Sequence, residues 1–375
     1  MTTSSSPATP EVSLLNTEDL RQRIDAVIDD WLTQKRRTLA PAHSDAAALI
    51  AAAEKLLAGG KRMRPALCYW SWRAHGGQNT GPTAQAVVII GAALELFQAA
   101  ALVHDDVMDD SDTRRGAPAA HRAFEAKHRA ENLQGDAAGF GLSAAILLGD
   151  LLLIGSEELF AAALEDIPNP ARTAARTVFN SLRTDVTLGQ YLDILTQTQP
   201  WGENPEAELA RAREVVRQKS ARYSVEQPLM LGAALASGDD EAIGAMSAFG
   251  LPLGEAFQLR DDLLDLFGDP EQLGKPAGAD LREGKRTVVV TIALARASAE
   301  VRQRLLDQVG REDLTANQIA QLCSDLLDSG AVAEVEDLIQ ALTDEAFATL
   351  LSLRLEKQGA AMLHQLARAV VERNA

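Results

Sequence analysis

Seven residues inside an apolar stretch, His104-Asp105-Asp106-Val107-Met108-Asp109-Asp110, carry the densest chemistry in this chain. Asp105 and Asp109 stand four residues apart, so on a helix they share a face and can grip one cation from one side. A second cluster, Asp261-Asp262-Leu263-Leu264-Asp265, repeats the pattern near the end of another apolar stretch. Carboxylates held this close repel one another and need compensation. A hard divalent cation supplies it, because Mg2+ takes one or two protein carboxylates together with substrate phosphates. One such cluster alone reads equally well as a solvated helix end; two, both on otherwise apolar helices, favour metal.

Bases accompany the acids. Gly59-Gly60-Lys61-Arg62-Met63-Arg64-Pro65 is a glycine turn, three cations and a proline suited to starting a helix. Free backbone N–H groups plus lysine and arginine form an anion site. Arg114-Arg115-Gly116 follows the first acidic cluster, and Lys275 and Lys285 follow the second. Acid and base in the same places read as metal ions bridging carboxylates to a polyphosphate, with the cations neutralising the rest. The chain has no GxxxxGK[ST] loop, so a P-loop nucleotide enzyme is not supported. Its two cysteines, Cys68 and Cys323, sit in apolar surroundings and outline neither a disulfide framework nor a zinc site.

The elements that position these residues read as helices. Among 375 residues, 46% are hydrophobic, 24% charged and only 4% aromatic, a globular composition favouring packed helices over a β-sandwich or barrel. A net charge of −17 repels phosphate backbones, so no nucleic acid partner is expected. Residues 1–15 are Ser/Thr/Pro-rich and read as a disordered tail, and 16–375 as a single all-α domain. Helical periodicity runs over 17–37 (stripe Leu20, Ile24, Val27, Trp31), from Ser44 to Gly59, and over 64–74, 82–110, 139–163, 170–197, 205–236 and 239–266, with further helices after Thr287. Val288-Val289-Val290 has strand composition but Ala- and Leu-rich flanks, and reads as helix. The longest of these helices exceed the ~11–12-residue average and are apolar around much of their circumference, as at the centre of a large bundle. The apolar stretches 87–103 and 140–155 are interrupted by Glu95 and Asp150, so neither is expected to span a bilayer, and Met1–Pro10 lacks a signal-peptide pattern. The expectation is a soluble, cytoplasmic protein.

Taken together and in this order, GGKRMRP (59–65), HDDVMDDSDTRRG (104–116), FGLPLGEAFQLRDDLLD (249–265) and GKPAGADLREGKRT (274–287) resemble the polyprenyl synthetase family of trans-prenyltransferases. The likeness runs from about Leu56 to Thr291. It implies an all-α bundle around a deep central cavity, a homodimer, and Mg2+ ions held by Asp105, Asp106 and Asp109 on one side and Asp261, Asp262 and Asp265 on the other. It implies further that Lys61, Arg64, Gln98 and Arg115 bind isopentenyl diphosphate. Arg114, Lys219, Ser220, Gln258, Lys275 and Lys285 fall where the family contacts the allylic diphosphate (dimethylallyl, geranyl or farnesyl); Ser220 replaces a more usual threonine and keeps the hydroxyl.

The implied reaction is ionisation, condensation and elimination, with the departing pyrophosphate as the base, so no catalytic histidine is required and His104 reads as structural. Chain length is expected to be set in an apolar cavity beneath the first cluster. Ala100 and Ala101, one turn before Asp105, are small and disfavour a farnesyl product, while Phe97, Leu147 or a partner subunit stops growth later. This points to geranylgeranyl diphosphate, with longer products as the nearest competitor. A terpene cyclase needs no isopentenyl site, against GGKRMRP and Arg115; a non-catalytic synthase subunit usually lacks one acidic cluster, and both are intact here.

Overall fold

The computed structural model describes residues 16–39, 44–268 and 278–372. Lys275 and the 1–15 tail lie outside the described residues.

The centre is a helix that sequence alone makes unusually apolar. α4 (Pro82–Met108) starts on proline at its first turn and buries residues on every side, from Ala84 to Asp106. Around it stand α1 (Leu20–Leu39), α2 (Ala47–Leu57) and α3 (Met63–Ala74). α1 presents Leu20, Ile24, Ile28 and Trp31, so Ile28 rather than Val27 completes its fully buried stripe. α6 (Ala137–Leu164), whose first N–H groups are capped by Asp136, makes the most extensive helix contact of the molecule, against α4.

Two features between α4 and α6 were not expected. Thr113–Arg114 and Ala117–Pro118 form a minimal antiparallel pair, β1 and β2, turning through Arg115 (φ 52°) and Gly116 (φ 73°). Two successive positive φ values match the right-handed strand twist of a two-residue hairpin turn, and glycine takes the second without strain. α5 (Ala120–Ala130) then packs Phe124 and His128 against the bundle.

α7 (Ala171–Thr198) and α8 (Pro205–Val216) follow, the latter capped by Asn204. The expected single helix over 205–236 is instead three segments: α8, a ten-residue π-helical stretch over Arg217–Glu226, and α9 (Gln227–Ala236). α10 (Asp240–Phe267), capped by Asp239, packs on the π-helical stretch and on α15 (Ala331–Ser352). The short α11 (Ala279–Glu283) precedes α12 (Val288–Arg296), helical as expected. α13 (Ala299–Gln308), α14 (Ala316–Asp328), α15 and α16 (Lys357–Val371) complete the chain. Buried apolar residues from α1 through α16 join in one contiguous core.

By length and composition, α4 and α6 are each sufficient to cross a membrane, which the sequence reading did not anticipate. The most apolar window of α4 is 78% buried inside the bundle, where Arg62 neutralises Glu95. That of α6 is only 28% buried, leaving Leu142, Ile146, Leu147 and Ile154 exposed.

Candidate active site

A cavity of about 1040 Å³ lies between α4, α7, the π-helical stretch and α10. Lys61, Arg64, Gln98, Asp105, Arg114, Arg115, Lys219, Ser220, Gln258, Asp261, Asp262, Asp265 and Lys285 all line it. So motifs separated by more than two hundred residues share one chamber. Asp106 and Asp109 sit just behind that wall, each engaged by a cation that lines the cavity.

Each acidic residue of the first cluster has a base against it. Lys219 Nζ stands 3.0 Å from Asp105 Oδ1 and Lys285 Nζ 3.1 Å from Asp109 Oδ2. The β1–β2 turn folds Arg114 back onto the helix, where its Nε donates to Asp106 Oδ1 at 2.8 Å and its Nη2 lies 3.4 Å from Asp105 Oδ2. Burial opposes ionisation of Asp105, yet Lys219, Lys285 and Arg114 outweigh it and hold its carboxyl below the ordinary value. Burial wins at Asp109 and Asp106, whose values are raised despite Lys285 and Arg114 respectively.

In the second cluster, burial and neighbouring acids act together on Asp262. Asp262 is pushed up to about 8, by burial first and then by Asp280 and Asp261, although Gln258 Nε2 donates to its Oδ1 at 2.8 Å. Asp265 Oδ2 accepts from the backbone N–H of Asp280 at 3.1 Å, joining the end of α10 to α11.

Five residues that sequence reasoning did not single out complete the site. Asp193 of α7 accepts from Lys219 Nζ at 2.6 Å. Asp280 and Glu283 of α11 hold Lys285, at 3.5 and 2.6 Å. Ser224 accepts from Arg64 Nη2 at 2.7 Å, while the Arg64 guanidinium lies 4.5 Å over the Tyr223 ring. Asp193 had one legible signal, a glycine and an acid (Gly189, Asp193) in an otherwise ordinary helix. A Cβ on Gly189 would come within 2.3 Å of the Lys219 backbone nitrogen, so glycine is what lets α7 lie against the π-helical stretch.

The apolar part of the cavity differs in detail from expectation. Phe97 and Ala101 line it, with Leu102, Leu153, Val186 and Ile194. Ala100 does not line it: about 100° round the helix from Ala101, it is fully buried in the core. Leu147 does not line it either; it is exposed on the outer face of α6. His104 is held from behind, its Nε2 3.2 Å from the Ile146 carbonyl oxygen.

A family model for polyprenyl synthetase matches residues 46–326. A short chain isoprenyl diphosphate synthase of Methanothermobacter thermautotrophicus is 31% identical over 301 residues, covering 80% of this chain and 82% of its own. A geranylgeranyl diphosphate synthase of Sulfolobus acidocaldarius is 31% identical over 261 residues, covering 70% and 71%. Among solved structures, a geranylgeranyl pyrophosphate synthase from Corynebacterium glutamicum, complexed with isoprenyl diphosphate and magnesium, superposes with a TM-score of 0.88 at 38% identity, over 95% of this chain and all of that one. With its motifs gathered in one chamber of an all-α bundle, the chain belongs to the polyprenyl synthetase family and is a prenyltransferase that elongates isoprenyl diphosphates.

Proposed function

We propose that this enzyme makes geranylgeranyl diphosphate by Mg2+-dependent, head-to-tail condensation of isopentenyl diphosphate with an allylic diphosphate. The observation that carries the reading is the shared cavity: two aspartate clusters and two sets of basic residues face one space large enough for both substrates.

The chemistry of the donors suits a hard divalent cation, while among the described residues no three of them converge as a formed metal site. Asp105 and Asp261 supply carboxylate oxygens from two helices on one cavity, and Asp262, pushed up to about 8, marks a place where added positive charge is favourable. When bound, Mg2+ supplies charge neutralisation at the diphosphate oxygens. Asp105, Asp109 and Asp261, with Asp106, Asp262 and Asp265 beside them, would hold it.

In the reaction, the carbon–oxygen bond of the allylic diphosphate breaks and its electron pair leaves on pyrophosphate. The double bond of isopentenyl diphosphate supplies the electrons of the new carbon–carbon bond, and a proton lost from the adjacent carbon to pyrophosphate restores a double bond. Lys219, Lys285 and Arg114, held in place beforehand by Asp193, Asp280, Glu283 and Asp106, stabilise the leaving group as its charge grows. Lys61, Arg64, Arg115 and Gln98 hold isopentenyl diphosphate, so that two substrates react as one bound pair. Ser220 and Gln258 contact the allylic diphosphate. Phe97 closes the apolar floor; Ala101 beside it leaves room for a chain longer than farnesyl. Longer products are the second reading, favoured by that small residue.

We also infer a cytoplasmic homodimer. The exposed Leu142, Ile146 and Ile154 lie on the poorly buried side of α6, and large apolar side chains left exposed along one helix are of the kind that marks protein interfaces. Incubation with labelled isopentenyl diphosphate, each allylic primer and Mg2+, with chain lengths resolved after dephosphorylation, tests the function. Products ending at twenty carbons support it; a longer ladder moves the floor deeper, and no Mg2+-dependent incorporation overturns it.

A further inference from the structure

Between the two cavity-lining cations Lys61 and Arg64 sits Arg62, which the reaction above does not use. Its side chain is 6% exposed and every arm of it is engaged. Nε donates to Asp25 Oδ1 of α1 at 2.9 Å, Nη1 to Glu95 Oε2 of α4 at 2.8 Å, and Nη2 to the Leu57 carbonyl oxygen at the end of α2 at 2.7 Å. One guanidinium thus ties three helices together beneath the glycine turn. Arg62 holds this position in the left-handed region (φ 53°, ψ 37°), a conformation that costs a non-glycine residue about 1–2 kcal/mol and persists where surroundings impose it.

The anion of this bridge faces the rest of the basic cluster. Glu95 is buried, lines the cavity, and stands three residues before Gln98 on the same helix. Nη1 atoms of both Arg62 and Arg115 come within 4 Å of the point a Cβ on Gly60 would occupy. Arg115 too has positive φ, 52°. Burial lowers its affinity for a proton and the charges of Arg114, Arg64 and Arg62 add to that, while Glu95 acts in the opposite sense. The cluster therefore contains an internal counter-ion that keeps its cations together before any diphosphate arrives.

We propose that Arg62 and Glu95 are positioning residues for isopentenyl diphosphate: the Asp25–Arg62–Glu95 bridge fixes the 59–64 turn and Arg115 so that Lys61, Arg64 and Arg115 present to one diphosphate. This rests on the assignment of those three cations to isopentenyl diphosphate. Neither Arg62 nor Glu95 is required to touch the substrate. The specificity of the effect follows from place: Lys219, Lys285 and Arg114 are held by Asp193, Asp280, Glu283 and Asp106, which the bridge does not touch.

The test uses Glu95→Gln, Arg62→Lys and the paired replacement Arg62→Met with Glu95→Leu. Calorimetric titration with isopentenyl diphosphate alone is followed by steady-state kinetics against both substrates. The single variants are expected to raise Kd and KM for isopentenyl diphosphate about tenfold, with the allylic KM within about twofold. The paired variant removes both charges and is expected to recover melting temperature, as apolar replacement of buried pairs often does, without recovering that affinity. A structural role alone would let affinity return with stability, and that result overturns the proposal. Should the single variants fold poorly, Asp25→Asn, which loses one partly exposed arm, is expected to raise Kd about threefold; unchanged Kd there also overturns it. Wild-type protein that does not bind isopentenyl diphosphate overturns the substrate assignment along with the bridge, whereas wild-type binding with unaffected variants overturns the bridge alone.

Discussion

Asp193→Asn is the sharpest test of the electrostatics, because it changes one oxygen to a nitrogen and removes a charge that sequence reasoning did not foresee. Asp193 is nearly buried and receives Lys219 at 2.6 Å, while the same ammonium lies 3.0 Å from Asp105. Lys219 is therefore shared between an anion that belongs to the diphosphate chemistry and one that only holds it. With Asp193 neutral, Lys219 remains paired with Asp105 and no longer spans the gap between α7 and α4. A hydrogen bond to a charged group contributes about 1.5–3 kcal/mol net. If that energy serves to place Lys219 for the transition state, its loss lowers turnover about 10- to 100-fold at 1.36 kcal/mol per decade. The assay is initial-rate kinetics with isopentenyl diphosphate varied at saturating geranyl or farnesyl diphosphate, beside a thermal melt. Expected are a lower kcat, a KM for isopentenyl diphosphate within about twofold, and a melting temperature within a few degrees of wild type. A kcat within about twofold of wild type refutes the argument that Asp193 positions Lys219.

Phe97→Ala opens the floor that Phe97 and Ala101 share and is expected to shift products to longer chains by at least one isoprene unit, read by chromatography of the dephosphorylated alcohols; an unchanged distribution places the floor elsewhere. Ile154→Glu puts a charge on the apolar face of α6 and is expected to give monomer in light scattering at micromolar concentration, an outcome that an unchanged mass would contradict. Glu226 tests stability against pH. Burial raises its carboxyl above the ordinary value although Ser247 Oγ donates to it at 2.5 Å, with Arg222 pulling the other way and Asp185 adding to the rise. Between its unfolded and folded values the native state binds more protons, so stability falls as pH rises through that window. Glu226→Gln keeps an acceptor for Ser247 and removes the titration, so its melting temperature relative to wild type is expected to increase from acidic to neutral pH; a pH-independent difference would count against the buried charge.

The cations and carboxylates were legible because their spacing is local. Asp105 and Asp109 lie one helical turn apart, and GGKRMRP spells its turn and its bases in seven residues. What the sequence did not show depends on packing between distant segments. Asp193 meets Lys219 from another helix, and Arg62 joins Asp25 to Glu95 across α1 and α4. Ala100 and Ala101 are chemically identical, and about 100° of helix rotation decides which faces the cavity. α5 was overlooked because AHRAFEAKHRA is largely polar, with Phe124 its one large apolar anchor. The two-residue strands 113–114 and 117–118 are too short for any alternation to appear.

The π-helical stretch over Arg217–Glu226 has a consequence for how this gene tolerates change. Bonding to the fifth residue instead of the fourth accommodates more chain per turn than an α-helix does. Loss of a single codon in it would let ordinary α-helical bonding close, and because the wide turns already hold the surplus residue, the flanking helices would turn against each other by less than the ~100° that the same loss costs an α-helix. What moves is the stretch itself, which carries Lys219 and Ser220 on the cavity wall, while Leu229 and Leu231 of α9 keep close to their places in the core. Point substitutions at Lys219 cost chemistry alone, and length variation in surface loops costs little. In this one helix a frame-preserving deletion takes effect at the cavity wall first, so its residue count is tied to the chemistry of Lys219 and Ser220 rather than to the packing of the bundle.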